Sequence, residues 1–182
     1  MDEPQGRALI ERLWAGWRMS YIEQDGEQRL APHTPGLSLF ESIEQSGLSD
    51  DDTYILWRGS TCFAMLNAYP YGSGHLMVLP KRAVADLELL TDDEHLELWA
   101  AVRDAVVAVK SAYRPGGVNV GMNLGTAAGA GVPGHLHVHV LPRWTGDTNF
   151  ITTLAEVRVL PEPLPDTWRK LVAAWPPGDQ HG

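Results

Sequence analysis

Three histidines alternate with aliphatic residues in the segment 135–141, which reads His-Leu-His-Val-His-Val-Leu. A period of two is typical of a β-strand, because successive side chains point to opposite faces of a sheet. The segment therefore predicts a strand with His135, His137 and His139 on one face and an aliphatic core on the other. Core packing alone does not explain three polar rings on one face, so the pattern indicates a functional site.

The chemistry of imidazole narrows what such a site can do. Histidine takes up and releases protons near neutral pH, so it serves as nucleophile, acid or base. Alternate residues of a strand lie roughly 6.5–7 Å apart. This spacing suits an extended anionic substrate that contacts all three rings, and it also suits a metal ion. A metal-dependent enzyme therefore stays open as an alternative at this point.

A glycine-rich run, residues 121–134, comes directly before the histidines. Small residues let the backbone approach a ligand closely, and exposed N–H groups can hold phosphate oxygens. We interpret the run as a phosphate-binding loop rather than as a flexible connection between two strands. Trp144, just past the histidines, is a candidate for stacking on a base.

Composition sets the limits of the fold and of the function. The 182 residues predict one domain with extensions, and the 44% hydrophobic content fits a globular protein. A net charge of −9 argues against a nucleic-acid-binding protein. The chain has a single cysteine, which predicts a cytoplasmic protein. Because it has no long apolar run, we expect no membrane span. Because its first residues are acidic rather than apolar, we expect no signal peptide.

Periodicity and turn residues predict an α+β fold with a five-stranded, largely antiparallel sheet and one long helix. That helix begins after the capping box Thr91-Asp92-Asp93-Glu94 and runs to about Tyr113. Its predicted apolar stripe is Leu96, Trp99, Val102, Val106 and Val109. The other predicted helices span residues 7–19, 39–45 and 164–175, and the predicted strands span 54–58, 61–66, 75–79, 118–123, 135–141 and, in the tail, 157–160.

In residues 135–141 the sequence resembles the histidine-triad (HIT) superfamily, whose signature is three histidines alternating with hydrophobic residues. A second block agrees, because residues 67–80 contain Asn67, Pro70 and a Gly-His pair before an apolar run that ends in Pro80. The resemblance covers roughly residues 38–145. Residues 122–129 and 142–150 are similar to a bacterial branch that includes dinucleoside-tetraphosphate phosphorylases and is related to Fhit-like hydrolases.

The resemblance implies a role for each matching residue. His137 would be the nucleophile that attacks the α-phosphate and forms a nucleotidyl-histidine intermediate. His135 and His139 would hold phosphate oxygens and the leaving group, with His75 beside them. Among the other positions, Asn67 would bind the ribose, Asn123 the bridging or leaving phosphate, and the backbone N–H groups of Gly129, Ala130 and Gly131 the phosphates.

The sequence also departs from the family. Ser38, Glu41 and Ala83 stand where many members have ligands of a structural zinc, and Cys62 lies in a predicted core strand. Because a closed zinc site needs four N or S ligands, we expect no zinc. No cofactor is required, although Mg²⁺ can accompany the substrate. Phosphorylases of this branch carry Gly-Ser at the positions of Ala130-Gly131. The missing serine hydroxyl favours water over inorganic phosphate as the acceptor of the nucleotidyl group.

Together these observations predict a HIT domain at residues 38–145 with an N-terminal helical extension (1–37) and a C-terminal extension (146–182). The expected function is cleavage of dinucleoside polyphosphates, such as diadenosine tri- or tetraphosphate. The alternatives are a nucleoside phosphoramidase or adenylylsulfatase with the same intermediate, and a nucleotide-binding sensor with little turnover. The resemblance also implies a homodimer formed through the long helix and its following edge strand.

Overall fold

The computed structural model describes residues 34–147 and 162–177. In this part of the chain, five antiparallel strands form one sheet: β1 (Ile55–Arg58), β2 (Cys62–Leu66), β3 (Leu76–Pro80), β4 (Gly117–Met122) and β5 (Val138–Arg143). Their order across the sheet is β1-β2-β3-β5-β4. The helices are α1 (Leu39–Glu44), α2 (Asp50–Thr53), α3 (Asp92–Tyr113) and α4 (Leu164–Ala174), with 3₁₀ turns at Leu87–Leu89 and Thr126–Ala128.

The α+β fold, the five strands and the long helix confirm the predicted architecture. The predicted capping box is present, because the Thr91 hydroxyl accepts from the Glu94 N–H while the Glu94 carboxylate accepts from the Thr91 N–H. The predicted helix at 7–19 and strand at 157–160 lie outside the described residues. The division into a domain with two extensions stays a prediction.

One face of the sheet packs against α3 and α4. Its core contains aliphatic side chains of β2, β3 and β5 together with Leu136 and Leu171. The C-terminal helix α4 is fixed at the first strand, where the Trp168 indole N–H donates to the Ile55 carbonyl at 2.8 Å and Trp175 stacks on Trp57.

The predicted apolar stripe of α3 is wrong in part. Leu96 and Trp99 are 70% and 39% exposed, whereas the buried face includes Val102 and Val109 and several alanines. The buried positions that the stripe missed are Leu98, Ala101, Ala105 and Ala108. Small alanine side chains let the helix approach the sheet closely, and this rotates the buried face away from the larger residues that define the predicted stripe.

The histidine strand begins later than predicted, at Val138 rather than at His135. In the three residues before it, the Leu136 N–H donates to the Val84 carbonyl at 2.6 Å instead of to a neighbouring strand. The partner strand β3 ends at Pro80, which has no N–H, and the Pro80 carbonyl accepts a hydrogen bond from the His135 ring. The ladder therefore cannot continue through His135.

The second face of the sheet carries the candidate site. A smaller apolar cluster, formed by Phe40 of α1 with residues of β1, β2 and β3, covers part of this face. His139 lies on it between Met77 of β3 and Gly121 of β4. Because Gly121 has no side chain, the position beside His139 on the edge strand stays open.

Among the residues that the structure describes, no helix is long and apolar enough to cross a membrane.

Candidate active site

The ring of His137 is oriented by the backbone of the residue two positions before it. Its Nδ1 lies 2.9 Å from the His135 carbonyl oxygen. A carbonyl only accepts, so Nδ1 carries the proton in the neutral ring and Nε2 keeps its lone pair. The Phe40 ring packs beside the His137 ring at a tilt of 58°, with 5.5 Å between ring centroids. The local geometry thus leaves a lone pair on Nε2 of His137, which is what a nucleophilic imidazole requires.

His135 takes a position that differs from the predicted contact with phosphate. Its side chain is fully buried, and both ring nitrogens are engaged: Nε2 lies 2.8 Å from the Pro80 carbonyl and Nδ1 lies 2.7 Å from the Ser38 hydroxyl. Nε2–H therefore donates to Pro80, and Nδ1 accepts from Ser38. This ring has no nitrogen left for a phosphate, and His135 contacts the His137 ring through its backbone carbonyl.

The Ser38 hydroxyl belongs to the N-terminal cap of α1. It accepts the Glu41 N–H at 3.1 Å, and the Glu41 carboxylate accepts the N–H groups of Ser38 and Ala83. These are the positions where the resemblance places zinc ligands in other members. Here a network of hydrogen bonds occupies them, and in the described part of the chain no group of three or more His, Cys, Asp or Glu side chains is arranged to hold a metal ion.

Burial lowers the pKa of His135, and the opposing effects of the Pro80 hydrogen bond and the Glu41 charge do not cancel this shift. Below pH ~6.5, His135 therefore takes up a proton in the unfolded chain but stays neutral in the folded chain until a lower pH. We expect stability to fall as the pH drops below that value, by at most ~1.4 kcal/mol per pH unit from this group. Urea denaturation at pH 7 and pH 5.5 measures the free energy of unfolding, which should change less with pH in His135→Gln than in the wild type. An equal change in both proteins would contradict the lowered pKa of His135.

His75 and His139 form a second pair on the same face. Nε2 of His75 lies 3.0 Å from Nδ1 of His139, and the Tyr71 backbone N–H donates to Nδ1 of His75 at 3.0 Å. The Tyr71 ring packs against both imidazoles, with centroids 4.7 and 6.0 Å away. The ring of His139 meets that of His137 edge-on at 4.9 Å. The structure therefore brings His75, His137 and His139 together.

The loop that precedes β3 is shaped by Gly74. Gly74 has a φ of +79°, and a Cβ there would lie 2.9 Å from the Tyr113 ring and 3.0 Å from Pro142. Only glycine fits both the left-handed backbone and this close approach. The Gly-His pair of the sequence motif thus places His75 against His139.

The two predicted asparagines lie at opposite ends of the site. Asn67 is buried and its Oδ1 accepts the Tyr69 N–H at 2.9 Å, which leaves its amide NH₂ as the group for a ligand. Asn123 follows Met122, the partner of Val138, so the register places it next to His137. Its amide donates weakly to the Gly129 carbonyl, at 3.5 Å.

The predicted phosphate loop uses two of its three N–H groups internally. The Gly129 N–H donates to Thr126 and the Ala130 N–H to Gly125, in the turns around Thr126–Ala128. Gly131 is exposed, and its N–H makes no such bond to a carbonyl within residues 34–147 and 162–177. A phosphate held by Gly129 or Ala130 therefore requires these turns to open.

Trp144 lies apart from the other predicted site residues. Its ring meets the Tyr113 ring edge-on at 6.2 Å, at the end of α3. Strand alternation also places it on the face of Val138 and Val140 rather than that of the histidines. The structure does not bring Trp144 together with the imidazoles, and base stacking by this residue stays a prediction.

Sequence reasoning missed the Tyr71 backbone N–H, the Pro80 carbonyl and the role of Ser38. Only the third left a signal, because Ser38-x-x-Glu41 is the pattern of a capping box. The other two are backbone groups that any residue type supplies. Their use depends on the tertiary fold.

This face of the sheet therefore presents an imidazole with a fixed tautomer beside two further imidazoles, an arrangement that suits nucleophilic group transfer. The HIT domain family model matches residues 50–146. The chain belongs to the HIT family.

Known relatives and structures agree with this membership. The AP-4-A phosphorylase of Mycobacterium tuberculosis is 45% identical over 174 residues, which are 93% of this chain and 86% of that protein. The asymmetrical bis(5'-nucleosyl)-tetraphosphatase of Schizosaccharomyces pombe is 34% identical over 51% of this chain and 50% of its own length. A zinc-bound histidine triad protein of Mycobacterium smegmatis has a TM-score of 0.61 at 25% identity, covering 75% of this chain and 91% of that one.

Proposed function

We propose that this chain cleaves dinucleoside polyphosphates, diadenosine tri- or tetraphosphate among them, through a nucleotidyl-histidine intermediate on His137. The observation that carries the proposal is the hydrogen bond from His137 Nδ1 to the His135 carbonyl, which leaves Nε2 as the nucleophile. The similarity to enzymes named for tetraphosphate cleavage supports the substrate class.

In the first step, the lone pair of His137 Nε2 forms a bond to the α-phosphorus. The bond from that phosphorus to the bridging oxygen breaks, and its electron pair leaves with the remaining nucleotide. In the second step, water or inorganic phosphate attacks the same phosphorus and releases His137. Splitting the displacement in two lowers each barrier.

The surrounding residues take supporting roles in this proposal. The Asn67 amide donates to the ribose, Asn123 and the Gly131 N–H hold phosphate oxygens, and His139 donates to the reacting phosphate. His135 positions the nucleophile and does not touch substrate. Gly129 and Ala130 contribute their N–H groups only if substrate opens the 3₁₀ turn.

Incubation of metal-stripped protein with diadenosine tetraphosphate, with and without inorganic phosphate, tests the proposal. ADP plus ATP only in the presence of phosphate identifies a phosphorylase, and AMP plus ATP without it identifies a hydrolase. Activity that persists in excess EDTA would exclude an enzyme that uses the histidines as metal ligands. Tight binding without products, or cleavage of a nucleoside phosphoramidate or adenylyl sulfate alone, would overturn the proposed substrate class.

A homodimer also belongs to this proposal. Leu96, Trp99 and Val107 on α3 are exposed apolar side chains, and so is Val120 on the edge strand β4. A strand at the edge of the described sheet and an apolar helix face suit pairing with a second copy. We expect light scattering after size-exclusion chromatography to give twice the monomer mass, and Trp99→Glu to give the monomer. A monomeric wild type would contradict the dimer.

The absence of nucleic-acid binding and the cytoplasmic location stay predictions from the sequence.

A further inference from the structure

The Ser38 hydroxyl makes two hydrogen bonds. It accepts the Glu41 N–H at 3.1 Å as the N-cap of α1, and it lies 2.7 Å from Nδ1 of His135. Because Nε2 of His135 donates to the Pro80 carbonyl, Nδ1 of the neutral ring holds a lone pair. A hydroxyl oxygen accepts through its lone pairs while its hydrogen donates, so Ser38 supplies the donor for this ring.

Helix capping alone does not require the second of these bonds. The described residues contain another capping box, at the start of α3, where the Thr91 hydroxyl accepts the Glu94 N–H at 3.3 Å and the Glu94 carboxylate accepts the Thr91 N–H at 2.9 Å. The box formed by Ser38 and Glu41 has the same two bonds. The Ser38 hydroxyl differs because it also contacts His135, 97 residues along the chain.

We propose that Ser38 is a positioning residue for the nucleophile, because it holds the His135 ring and thereby the carbonyl on which the His137 tautomer depends. This inference rests on the proposed function. The path is short: 2.7 Å from Ser38 Oγ to Nδ1 of His135, and 2.9 Å from the His135 carbonyl oxygen to Nδ1 of His137. The fully buried His135 ring cannot turn without breaking a hydrogen bond at one of its nitrogens.

The backbone at His135 depends on such support because it lies outside the strand ladder. Strand β5 begins only at Val138. Before it, the His135 N–H donates to the Val132 carbonyl at 3.2 Å and the Leu136 N–H donates to the Val84 carbonyl at 2.6 Å. The position of the His135 carbonyl is therefore determined by these bonds and by the two hydrogen bonds of its own ring.

Helix α1 contacts both the ring that is held and the ring that reacts. The Phe40 ring meets His135 edge-on at 5.3 Å between centroids and lies 5.5 Å from His137. The Glu41 carboxylate also accepts the Ala83 N–H at 2.9 Å, which joins the start of α1 to the segment after β3. The first turn of α1 is thus fixed at the same place as the two histidines.

Two substitutions separate the donor from the helix cap. Ser38→Gly removes the hydroxyl, but glycine serves nearly as well as serine at an N-cap, so α1 should persist. The buried Nδ1 of His135 then has no donor, which disfavours the present orientation of the ring. Ser38→Thr keeps both the cap and a hydroxyl donor and is the conservative variant.

Nitrogen-15 and carbon-13 NMR of histidine-labelled protein at pH 8 measures the tautomers without substrate. In the wild type we expect His135 with its proton on Nε2 and His137 with its proton on Nδ1. Ser38→Gly should make His137 a mixture of its two tautomers, and Ser38→Thr should resemble the wild type. A wild-type His135 with its proton on Nδ1, or a His137 tautomer that Ser38→Gly leaves unchanged, would overturn the inference.

Kinetics with diadenosine tetraphosphate provide the second readout. Ser38→Gly should lower kcat about tenfold with little change in KM, since a misplaced His137 binds substrate but attacks less often. Ser38→Thr should restore kcat to within about threefold of the wild type. The matched control is Thr91→Gly, which removes the capping hydroxyl of α3 and should keep the wild-type kcat.

The outcomes distinguish this inference from the proposed function. Equal losses of kcat in Ser38→Gly and Thr91→Gly would reduce Ser38 to a helix cap and overturn the inference. A wild type that turns over no dinucleotide would overturn the proposed function alone, because the NMR experiment needs no turnover and still decides whether Ser38 fixes the His137 tautomer.

Discussion

Replacement of His137 by alanine is expected to reduce the turnover of diadenosine tetraphosphate by at least about 10⁴-fold, since removal of a nucleophile eliminates the covalent route. The neighbouring imidazoles make other contacts: His135 has both ring nitrogens bound to protein groups, and Nδ1 of His139 lies 3.0 Å from Nε2 of His75. We therefore expect neither ring to replace the lone pair of His137. Product formation from the dinucleotide under saturating substrate measures the effect.

The matched control for this variant is His95→Ala, an exposed histidine in the first turn of α3. It should retain wild-type turnover. The His137→Ala protein should also keep a cooperative unfolding transition, because the histidine ring contributes one hydrogen bond to a neighbouring carbonyl. Turnover within tenfold of the wild type in a folded His137→Ala protein would contradict the assignment of the nucleophile.

Replacement of Glu97 by alanine should have the largest effect on stability among surface carboxylates, about 3 kcal/mol. Glu97 on α3 accepts the backbone N–H groups of Ser60, Thr61 and Cys62, and also the Thr61 hydroxyl. These groups form the turn between β1 and β2. Without the carboxylate, the N–H of the fully buried Cys62 loses its partner. Urea denaturation measures the change in the free energy of unfolding.

Glu88→Ala, an exposed glutamate in the turn before α3, is the control and should change stability by no more than about 0.5 kcal/mol. Burial acts to raise the pKa of Glu97, but the hydrogen bonds from Thr61, Ser60 and Cys62 outweigh it and lower the pKa. Its contribution is therefore present at neutral pH and is lost as the pH falls through the folded-state pKa. A Glu97→Ala protein within about 1 kcal/mol of the wild type at pH 7 would contradict this role.

The sequence was sufficient for the elements whose signals are local. The capping box of α3 and the two predicted strands at 54–58 and 61–66 each depend on residues a few positions apart, and the structure contains the box and pairs the corresponding strands β1 and β2. The strand periodicity also predicted the face of the sheet on which His139 lies. The structure places His139 on that face, next to Gly121.

The parts that sequence reasoning could not supply depend on distant partners. Whether His135 faces substrate or protein is decided by Ser38 and Pro80, which lie 97 and 55 residues away along the chain. The contact between His75 and His139 joins residues 64 positions apart, and the Tyr71 N–H that binds His75 is a backbone group that any residue supplies. The buried face of α3 was misjudged because alanines, and not the larger side chains, pack against the sheet.

Trapping of the covalent intermediate tests the central claim most directly. The protein is mixed with diadenosine tetraphosphate labelled at the α-phosphorus, quenched in alkali, where phosphohistidine persists, and digested for peptide mapping. We expect the label on the peptide that contains His137, and no label on the His137→Ala protein. Turnover of this substrate without a labelled histidine, or with the label on His139, would contradict the account.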